Sequence, residues 1–549
     1  MTTPDTLADP QGLAQQRAVE QAFREVLGHG AASAAPDTLA VPTQNTQGTR
    51  PFASGADASI YEPVWSKHPV SQTPHAAPPS PWEEPVTSPF FSGTFALPHT
   101  PPAHTPPATH PATVEQAHDA VPYFLHHATA AACTKSGAPH AIPRTPGGYD
   151  VARIQADFPI LHQKVNGHKL IWLDNAATTQ KPRAVIDATS AFYEHDNSNI
   201  HRAAHTLAAR ATDAFEGART KLQRFIGARE AAEIVFVRGT TEAINLVAQS
   251  YGRANIGPGD EILITTIEHH ANIVPWQLLA RQTGAVLRVA PVNDRGELLL
   301  DNFAALLTGR TKIVSVTHVA NALGTINPVE QIIALSHAAG VPVLVDAAQS
   351  SPHLPLNVAT LDADFLVLSG HKIYGPTGIG ILYGKRHLLE AMPPWQGGGH
   401  MIRDVTFAHT EFQGLPEKFE AGTPDIAGAV GLGAAVDYLQ SIGLPAIAAH
   451  EHALLDYATQ QFAHLRGVRI IGTAQAKASV LSFIVDGHSV TDVAKHLDRH
   501  GIAARSGHHC AQPALRRFGV EATVRASFGL YNSFEDVDAL VAALGQLVR

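Results

Sequence analysis

The chain has 549 residues, a formal net charge of −9 and only two cysteines. Two cysteines form at most one disulfide, which excludes a cysteine-stapled secreted scaffold and a cysteine-rich zinc protein. Acidic residues outnumber basic residues by 48 to 39, and charged residues are 16% of the chain. This balance disfavours a nucleic-acid-binding protein, which would carry a basic surface.

The first quarter of the chain differs in composition from the remainder. Residues 1–150 hold 23 of the 39 prolines, and we expect residues 1–148 to form a disordered, Pro-rich tail for targeting or interaction. The start of the chain lacks the basic and apolar regions of a secretory signal, and the tail is too acidic for a transit peptide. No stretch approaches the roughly 20 apolar residues that span a bilayer. We therefore expect a cytoplasmic protein that contacts no membrane.

Short apolar segments interrupt this tail. A 3.6-residue apolar period predicts a short helix over residues 10–28. Aromatic clusters follow at residues 59–65, 88–98 and 121–127. Such clusters in a Pro-rich chain are typical of short motifs that dock on another protein, and the alternative is a dispensable tail. The ten histidines of the tail lack regular metal-ligand spacing, so we expect no metal site.

From about Tyr149 onward, short apolar runs alternate with helical stretches. Seven runs are candidate buried strands, at residues 233–239, 261–268, 285–292, 312–319, 341–348, 364–370 and 378–384. The alternation predicts an α/β fold, with a mostly parallel seven-stranded sheet covered on both faces. We expect this large domain over residues 176–414 and a smaller α+β domain over residues 415–549. Residues 149–175 would pack with the smaller domain.

Polar residues stand at the predicted carboxyl ends of these strands, where parallel sheets bind ligands. Lys372 follows a buried strand, and a lysine there can form a Schiff base. Asp346 ends another strand and can pair with a pyridinium nitrogen, while Gln349 can bind a phenolate oxygen. The segment 239–241 closes a strand and opens a helix, which suits a phosphate. A surface lysine or a capping aspartate is the usual reading of each residue alone, but the joint order is improbable by chance.

Several longer motifs identify a family. They include LDNAATTQKP (173–182), FVRGTTEAINLVA (236–248), LSGHKIYGPTGIGILYG (368–384), FEAGTP (419–424) and RSGHHCAQP (505–513). Through these motifs the chain, from about Tyr149 to Arg549, resembles the SUF-type (group II) cysteine desulfurases. These are pyridoxal 5'-phosphate enzymes of fold type I, and the resemblance covers nearly all of those 400 residues.

The resemblance implies a role for each matching residue. Lys372 would hold pyridoxal phosphate as a Schiff base, and Cys510 would be the nucleophile. The ring would be contacted by Asp346, Gln349 and His269. The phosphate would be bound by Thr241, Ser369, His371 and, from the second subunit of a homodimer, Thr423. The substrate would be bound or lined by Arg525, Asn321, Arg505 and His201.

The implied activity converts L-cysteine to L-alanine. Lys372 would abstract the α-proton, and Cys510 would take the sulfur as a persulfide. The alternative for Cys510 is a buried, inert cysteine. At the level of the whole protein, a selenocysteine lyase, a generic aminotransferase and a scaffold with a vestigial catalytic body stay open.

The tail extends the resemblance. A long Pro-rich extension on such an enzyme resembles the cargo desulfurases that encapsulin shells of the second family package. This implies an encapsulin nanocompartment as the partner and a role in sulfur mobilisation or storage. The alternative is a cytosolic sulfur donor for Fe–S clusters whose tail binds another partner. A small sulfur-acceptor protein is a further expected partner, and Cys133 has no assigned role.

Overall fold

A computed structural model of the protein describes residues 149–200 and 205–548. The predicted tail (1–148), with its short helix and Cys133, lies outside the described residues. His201 also lies outside them. Within the described residues, no single helix is long and apolar enough to cross a membrane, and the helices Ile426–Ile442 and Leu444–Phe462 meet that requirement only as a pair bent by 75°.

The strands and helices are named here in chain order. The strands are β1 (Lys164–Val165), β2 (His168–Lys169), β3 (Ile171–Trp172), β4 (Ile234–Val237), β5 (Glu261–Thr265), β6 (Val286–Ala290), β7 (Thr311–Thr317), β8 (Val343–Asp346), β9 (Phe365–Ser369), β10 (Gly380–Gly384), β11 (Ile402–Val405), β12 (Thr410–Phe412), β13 (Val468–Ile471), β14 (Val480–Val485), β15 (Ile502–Ala503), β16 (Arg505–Gly507) and β17 (Thr523–Ser527). The α-helices are α1 (Val151–Ala156), α2 (Arg183–Ala191), α3 (Thr206–Phe225), α4 (Thr240–Val247), α5 (Arg253–Asn255), α6 (Val274–Thr283), α7 (Leu300–Leu306), α8 (Val329–Ala338), α9 (Val358–Leu361), α10 (Arg386–Ala391), α11 (Ile426–Ile442), α12 (Leu444–Phe462), α13 (Val490–Arg499), α14 (Gln512–Arg517) and α15 (Phe534–Gly545).

The large domain is built on a seven-stranded sheet in the order β4-β10-β9-β8-β7-β5-β6. Strand β10 is antiparallel to both neighbours, and the other pairs are parallel. The predicted mostly parallel seven-stranded sheet is therefore confirmed. Gly380 is the first residue of β10. Glycine fits there because a Cβ atom would lie only 2.5 Å from the Leu368 carbonyl oxygen.

Both faces of this sheet are covered, as the continuous apolar runs predict. Alternate residues of β4 enter separate core clusters: Ile234 and Phe236 pack on one face, and Val235 and Val237 pack on the other. Because successive side chains of a strand point to opposite faces, such a strand needs apolar residues at every position. Only strands with helices on both sides satisfy that requirement.

The register of the sheet brings three strand ends to one edge. Thr317 of β7 lies opposite Asp346 of β8, and Ser369 ends the adjacent strand β9. The side chains that follow these strands therefore open on the same space.

The smaller domain contains a four-stranded antiparallel sheet in the order β13-β14-β17-β16. Strand β3 pairs in parallel with β15, and the Tyr149 ring stacks on His450 with ring centroids 4.3 Å apart. Helix α11, beyond the predicted boundary at residue 415, packs on α2 and α3 and shares the core cluster of α3. The domain boundaries stay a prediction.

Candidate active site

A cavity of about 240 Å³ opens where β7, β8 and β9 end. It brings together eleven of the predicted site residues: Thr241, His269, Asn321, Asp346, Gln349, Ser369, His371, Lys372, Arg505, Cys510 and Arg525. Thr423 is exposed and does not line this cavity. His201 lies outside the described residues.

One end of the cavity is the start of helix α4. Gly239 precedes it with a φ of 148°, and a Cβ atom at Gly239 would lie 3.2 Å from Ser369 Oγ. The Thr240 N–H donates to Ser369 Oγ (2.9 Å), and the Ser369 hydroxyl donates to Thr240 Oγ1 (2.9 Å). The first N–H groups of a helix have no intrahelical partner and favour an anion. Beside them, burial, followed by the positive charge of Lys372, lowers the pKa of His371 to about 4.

Asp346 is the last residue of β8 and is almost fully buried. Its Oδ1 accepts the Ala348 N–H (2.9 Å). Burial raises the pKa of Asp346, and the N–H of Ala348 and the charge of Lys372 oppose that rise. A buried carboxylate of this kind is a strong acceptor for a protonated ring nitrogen.

Two other side chains are held in defined orientations around the cavity. Gln349 Nε2 donates to the Ala176 carbonyl (2.6 Å). His269 Nδ1 accepts the Ala271 N–H (3.0 Å), which leaves the ring proton on Nε2. Burial, assisted by the charge of Lys372, lowers the pKa of His269 to about 3. The His269 ring is therefore neutral at physiological pH.

Lys372 lies at the end of a 3₁₀ turn, Gly370–Lys372, that directly follows β9. Burial lowers the pKa of Lys372 to about 8, against the opposing charge of Asp346. The preceding carbonyl, that of His371, accepts from the Thr178 hydroxyl (3.1 Å) and from the Thr179 N–H (3.0 Å). The chain therefore fixes the peptide that carries the lysine and makes its amine unusually easy to deprotonate.

The opposite end of the cavity is cationic. Arg525 of β17 is buried, and its Nη2 donates to Asp174 Oδ1 (3.0 Å) while its Nη1 donates to the Asn321 carbonyl (3.2 Å). Arg505 Nε donates to the second oxygen of Asp174, Oδ2 (3.1 Å). Burial lowers the pKa of Arg525, and Asp174 opposes that effect. Two guanidinium groups therefore share one carboxylate.

Cys510 lies in a short turn between β16 and α14, is partly exposed and lines the cavity. Within residues 149–200 and 205–548 it is the only cysteine. The Cys510 N–H donates to His508 Nδ1 (3.1 Å). Asn321 Nδ2 donates to the His509 carbonyl (2.7 Å), so Asn321 contacts the turn that carries the thiol.

The chemistry of these residues fits pyridoxal phosphate. A lysine amine stands between a buried carboxylate, suited to the ring nitrogen, and a helix start, suited to the phosphate. Among the described residues, buried Asn321 Oδ1 and Arg525 Nε have no hydrogen-bond partner. Both atoms belong to side chains that line the cavity. Buried polar atoms of this kind favour a polar ligand.

Sequence reasoning did not assign a role to Asp174 or to His270. Asp174 lies within the quoted motif 173–182, and a carboxylate there was a signal for a cationic partner. His270 adjoins His269, and its contacts with the Cys510 turn come only from the fold. Glu268 was also overlooked: it is fully buried and accepts from the Asn272 amide (2.7 Å).

The sequence profile of the class-V aminotransferases matches residues 171–540. The chain belongs to the class-V aminotransferase family. The cofactor of this class-V aminotransferase is pyridoxal phosphate, and the fold is that of fold type I enzymes.

Two curated relatives of this chain are named probable cysteine desulfurases. The chain is 61% identical over 401 residues to a probable cysteine desulfurase of Mycolicibacterium paratuberculosis, a match that covers 73% of this chain and 58% of that protein. It is 52% identical over 395 residues to a probable cysteine desulfurase of Vibrio cholerae, covering 72% and 98% of the two chains. Overall, it spans less than two thirds of the length of the first curated relatives that it matches (58%, 66% and 64%).

Solved structures agree with this likeness. The crystal structure of the cysteine desulfurase CsdA (S-sulfonic acid) from Escherichia coli superposes with a TM-score of 0.69 and 41% sequence identity. That match covers 73% of this chain and 100% of CsdA.

Proposed function

We propose that this class-V aminotransferase is a SUF-type (group II) cysteine desulfurase that converts L-cysteine to L-alanine and holds the released sulfur as a persulfide on Cys510. One observation carries the proposal: the Cys510 thiol and the Lys372 amine line the same small cavity. Relatives that are 52–61% identical are named cysteine desulfurases or probable cysteine desulfurases, which supports it.

Substrate binding rests on the cationic end of the cavity. Arg525 offers a planar guanidinium that binds carboxylates through paired hydrogen bonds. Arg525 Nε has no hydrogen-bond partner among the described residues. It can therefore donate to the substrate carboxylate. The amino group of L-cysteine would then point toward Lys372.

Proton transfer rests on Lys372. Pyridoxal phosphate, when bound, supplies an electron sink for the substrate α-carbon. The Lys372 amine accepts the α-proton, and its pKa of about 8 leaves about a tenth of the amine neutral at pH 7, far more than for an ordinary lysine. The neutral His269 ring does not repel the protonated Lys372 ammonium.

Sulfur transfer rests on Cys510. Its Sγ attacks the sulfur of L-cysteine, an S–S bond forms, and the substrate Cβ–S bond breaks. The electron pair of that bond stays with the carbon fragment, which takes up a proton at Cβ. L-Alanine and the Cys510 persulfide together contain every atom of L-cysteine and the thiol, so the step needs no external oxidant.

The test is the variant Cys510→Ala. We expect it to retain the yellow absorbance of the bound cofactor but to release no sulfide from L-cysteine, while the control variant Cys133→Ala behaves like the wild type. Normal desulfuration by Cys510→Ala would overturn the proposal. The rates of the wild type and of Cys510→Ala are also measured on L-selenocysteine. A selenocysteine lyase would keep its rate on L-selenocysteine when Cys510 is lost.

We also infer that the enzyme acts as a homodimer in which Thr423 reaches the cavity of the second subunit. Thr423 is exposed and lies outside its own cavity. The hairpin of β11 and β12 exposes Val405, Phe407 and Phe412, and exposed apolar groups of this size are typical of subunit contacts. Light scattering of the purified enzyme should give twice the chain mass, and a monomer that keeps full activity would overturn the inference.

For the tail, we propose that residues 1–148 address the enzyme to an encapsulin shell in the cytoplasm. The Pro-rich composition and the aromatic clusters support this role. Deletion of residues 1–148 should leave desulfuration intact and abolish co-purification with the shell. Entry of the truncated enzyme into shells would overturn the proposal. Persulfide transfer to a small acceptor protein, assayed with and without the shell, then tests that expected partner.

A further inference from the structure

The turn that carries the nucleophile has an unfavourable backbone. His509 and Cys510 are consecutive non-glycine residues with φ values of 51° and 54°. The left-handed region is disfavoured for side chains with a Cβ atom, and such conformations persist only where surrounding contacts impose them. The position of the Cys510 thiol therefore depends on the groups that hold this turn.

Most of the holding contacts come from elsewhere in the chain. The N–H of His270 donates to the Cys510 carbonyl (2.7 Å). The His270 ring accepts at Nε2 from the N–H of Gln512 (3.2 Å). One residue thus binds the chain on both sides of Ala511, immediately after the nucleophile.

The bond to Gln512 has no substitute within its own helix. Gln512 is the first residue of α14, and the first N–H groups of a helix lack an intrahelical acceptor. The His270 ring supplies that acceptor. Since Nε2 accepts, the ring proton lies on Nδ1 and the ring is neutral. Burial, followed by the nearby His508, lowers the pKa of His270, which favours the neutral ring.

The base that carries His270 is rigid. His270 belongs to a 3₁₀ turn, His270–Asn272, whose last side chain is fixed by buried partners. Asn272 donates to Glu268 (2.7 Å) and accepts from the Trp276 indole N–H (3.0 Å). Residues held by a packed polar network are suited to fix another group in place.

We propose that His270 is a positioning residue for Cys510, holding the thiol-bearing turn over the cavity through its ring and its own N–H. The proposal deepens, and rests on, the desulfurase function argued above. The two adjacent histidines then have different roles. His269 lines the cavity, and His270 holds the turn that carries Cys510.

The first test measures the hydrogen bond itself. The holoenzyme is compared with His270→Leu, which lacks the acceptor, with His270→Gln, whose amide oxygen replaces it, and with the control His162→Leu at an exposed site. Amide exchange of Gln512, followed by mass spectrometry, should be about tenfold faster in His270→Leu, as expected for loss of one hydrogen bond. It should stay near the wild-type rate in His270→Gln and in the control.

The second test measures what the bond does. All variants carry Cys133→Ser, so that iodoacetamide reports on Cys510 alone. We expect His270→Leu to be alkylated faster because the turn is looser. Its kcat for L-cysteine should fall about tenfold with KM and cofactor absorbance unchanged, and His270→Gln should recover most of that kcat.

The outcomes separate the two proposals. Absence of desulfuration in the wild type would refute the proposed function alone. Amide exchange and alkylation would still test whether His270 holds the Cys510 turn. A His270→Leu enzyme with wild-type exchange at Gln512 and wild-type kcat would overturn the positioning role. So would a His270→Gln enzyme no better than His270→Leu in both assays.

Discussion

Asp174 Oδ1 lies 3.0 Å from Nη2 of the buried Arg525, and the other Asp174 oxygen binds Arg505. A buried guanidinium without a counter-charge is costly, and the shared carboxylate both neutralises and orients it. Asp174 thus sets the orientation of both arginines at the cationic end of the cavity.

We expect Asp174→Ala to raise the KM for L-cysteine about tenfold, because Arg525 loses its orienting partner. Asp174→Asn keeps an acceptor oxygen and should raise KM less. Steady-state kinetics check both, with Asp294→Ala as the control, since Asp294 pairs with Arg517 at an exposed site. An unchanged KM in Asp174→Ala would show that Arg525 is held by other contacts.

The pKa of Lys372 predicts how the apoenzyme captures its cofactor. The protonated ammonium cannot attack an aldehyde, and the neutral fraction rises with pH through about 8. The initial rate of pyridoxal phosphate capture, followed by absorbance, should therefore rise from pH 6.5, reach half of its maximum near pH 8 and level off about one pH unit above that. Lys372→Ala should show no covalent capture at any pH. A rate that falls with rising pH would contradict the assignment of Lys372.

The buried ion pair of Arg219 and Glu420 predicts a large effect on stability. Their side chains are only 1% and 2% exposed and lie 2.7 Å apart. Arg219→Leu leaves the Glu420 carboxylate buried and unpaired, which should lower the free energy of unfolding by about 3–5 kcal/mol. Urea denaturation measures this loss.

A matched control lies on the same helix. Lys221 pairs with Asp437 at 2.6 Å, but both side chains are largely exposed, so Lys221→Ala should cost at most about 1 kcal/mol. The double variant Arg219→Leu/Glu420→Leu should recover part of the loss. Equal losses at the two sites would mean that burial does not decide the contribution of these pairs.

Thr423 follows Glu420 by three residues, and this gives the ion pair a second expected effect. Glu420 also accepts the Phe236 N–H (2.7 Å), which ties the 419–422 segment to the large sheet. If the proposed homodimer forms, Glu420→Gln should weaken cofactor retention, measured by dialysis of the holoenzyme. Thr423→Ala should weaken it similarly, and full retention in both variants would argue against a phosphate contact from Thr423.

The fold was largely predictable because its signals are local. Each of the seven predicted runs coincides with one strand of the large sheet, with β7 starting one residue earlier than predicted, since buried strands require continuous apolar residues. The antiparallel direction of β10 was not predictable, because an apolar run is the same read in either direction. Its placement depends on contacts such as that between Gly380 and the Leu368 carbonyl.

Local sequence pattern predicted the site only where its residues follow strands, and the family resemblance added Cys510, Arg505 and Arg525, which also line the cavity. Lys372 and Asp346 stand at strand ends, and the sequence shows those ends. Asp174 and His270 could not be assigned, because their partners Arg525 and Gln512 lie 351 and 242 positions away. No local pattern encodes such a pairing.

The pairing of β3 with β15 has a consequence for synthesis of the protein. Asp174, two residues after the end of β3, bonds to Arg505 across 331 positions. A ribosome makes β3 long before its partner β15, and a chain folds as its parts become available. The Cys510 turn with its His270 contacts, and the two arginines bound by Asp174, therefore come together only after the chain has been made through Arg525. A chain that terminates before Arg505 would hold Asp174 without either of its arginine partners and without Cys510.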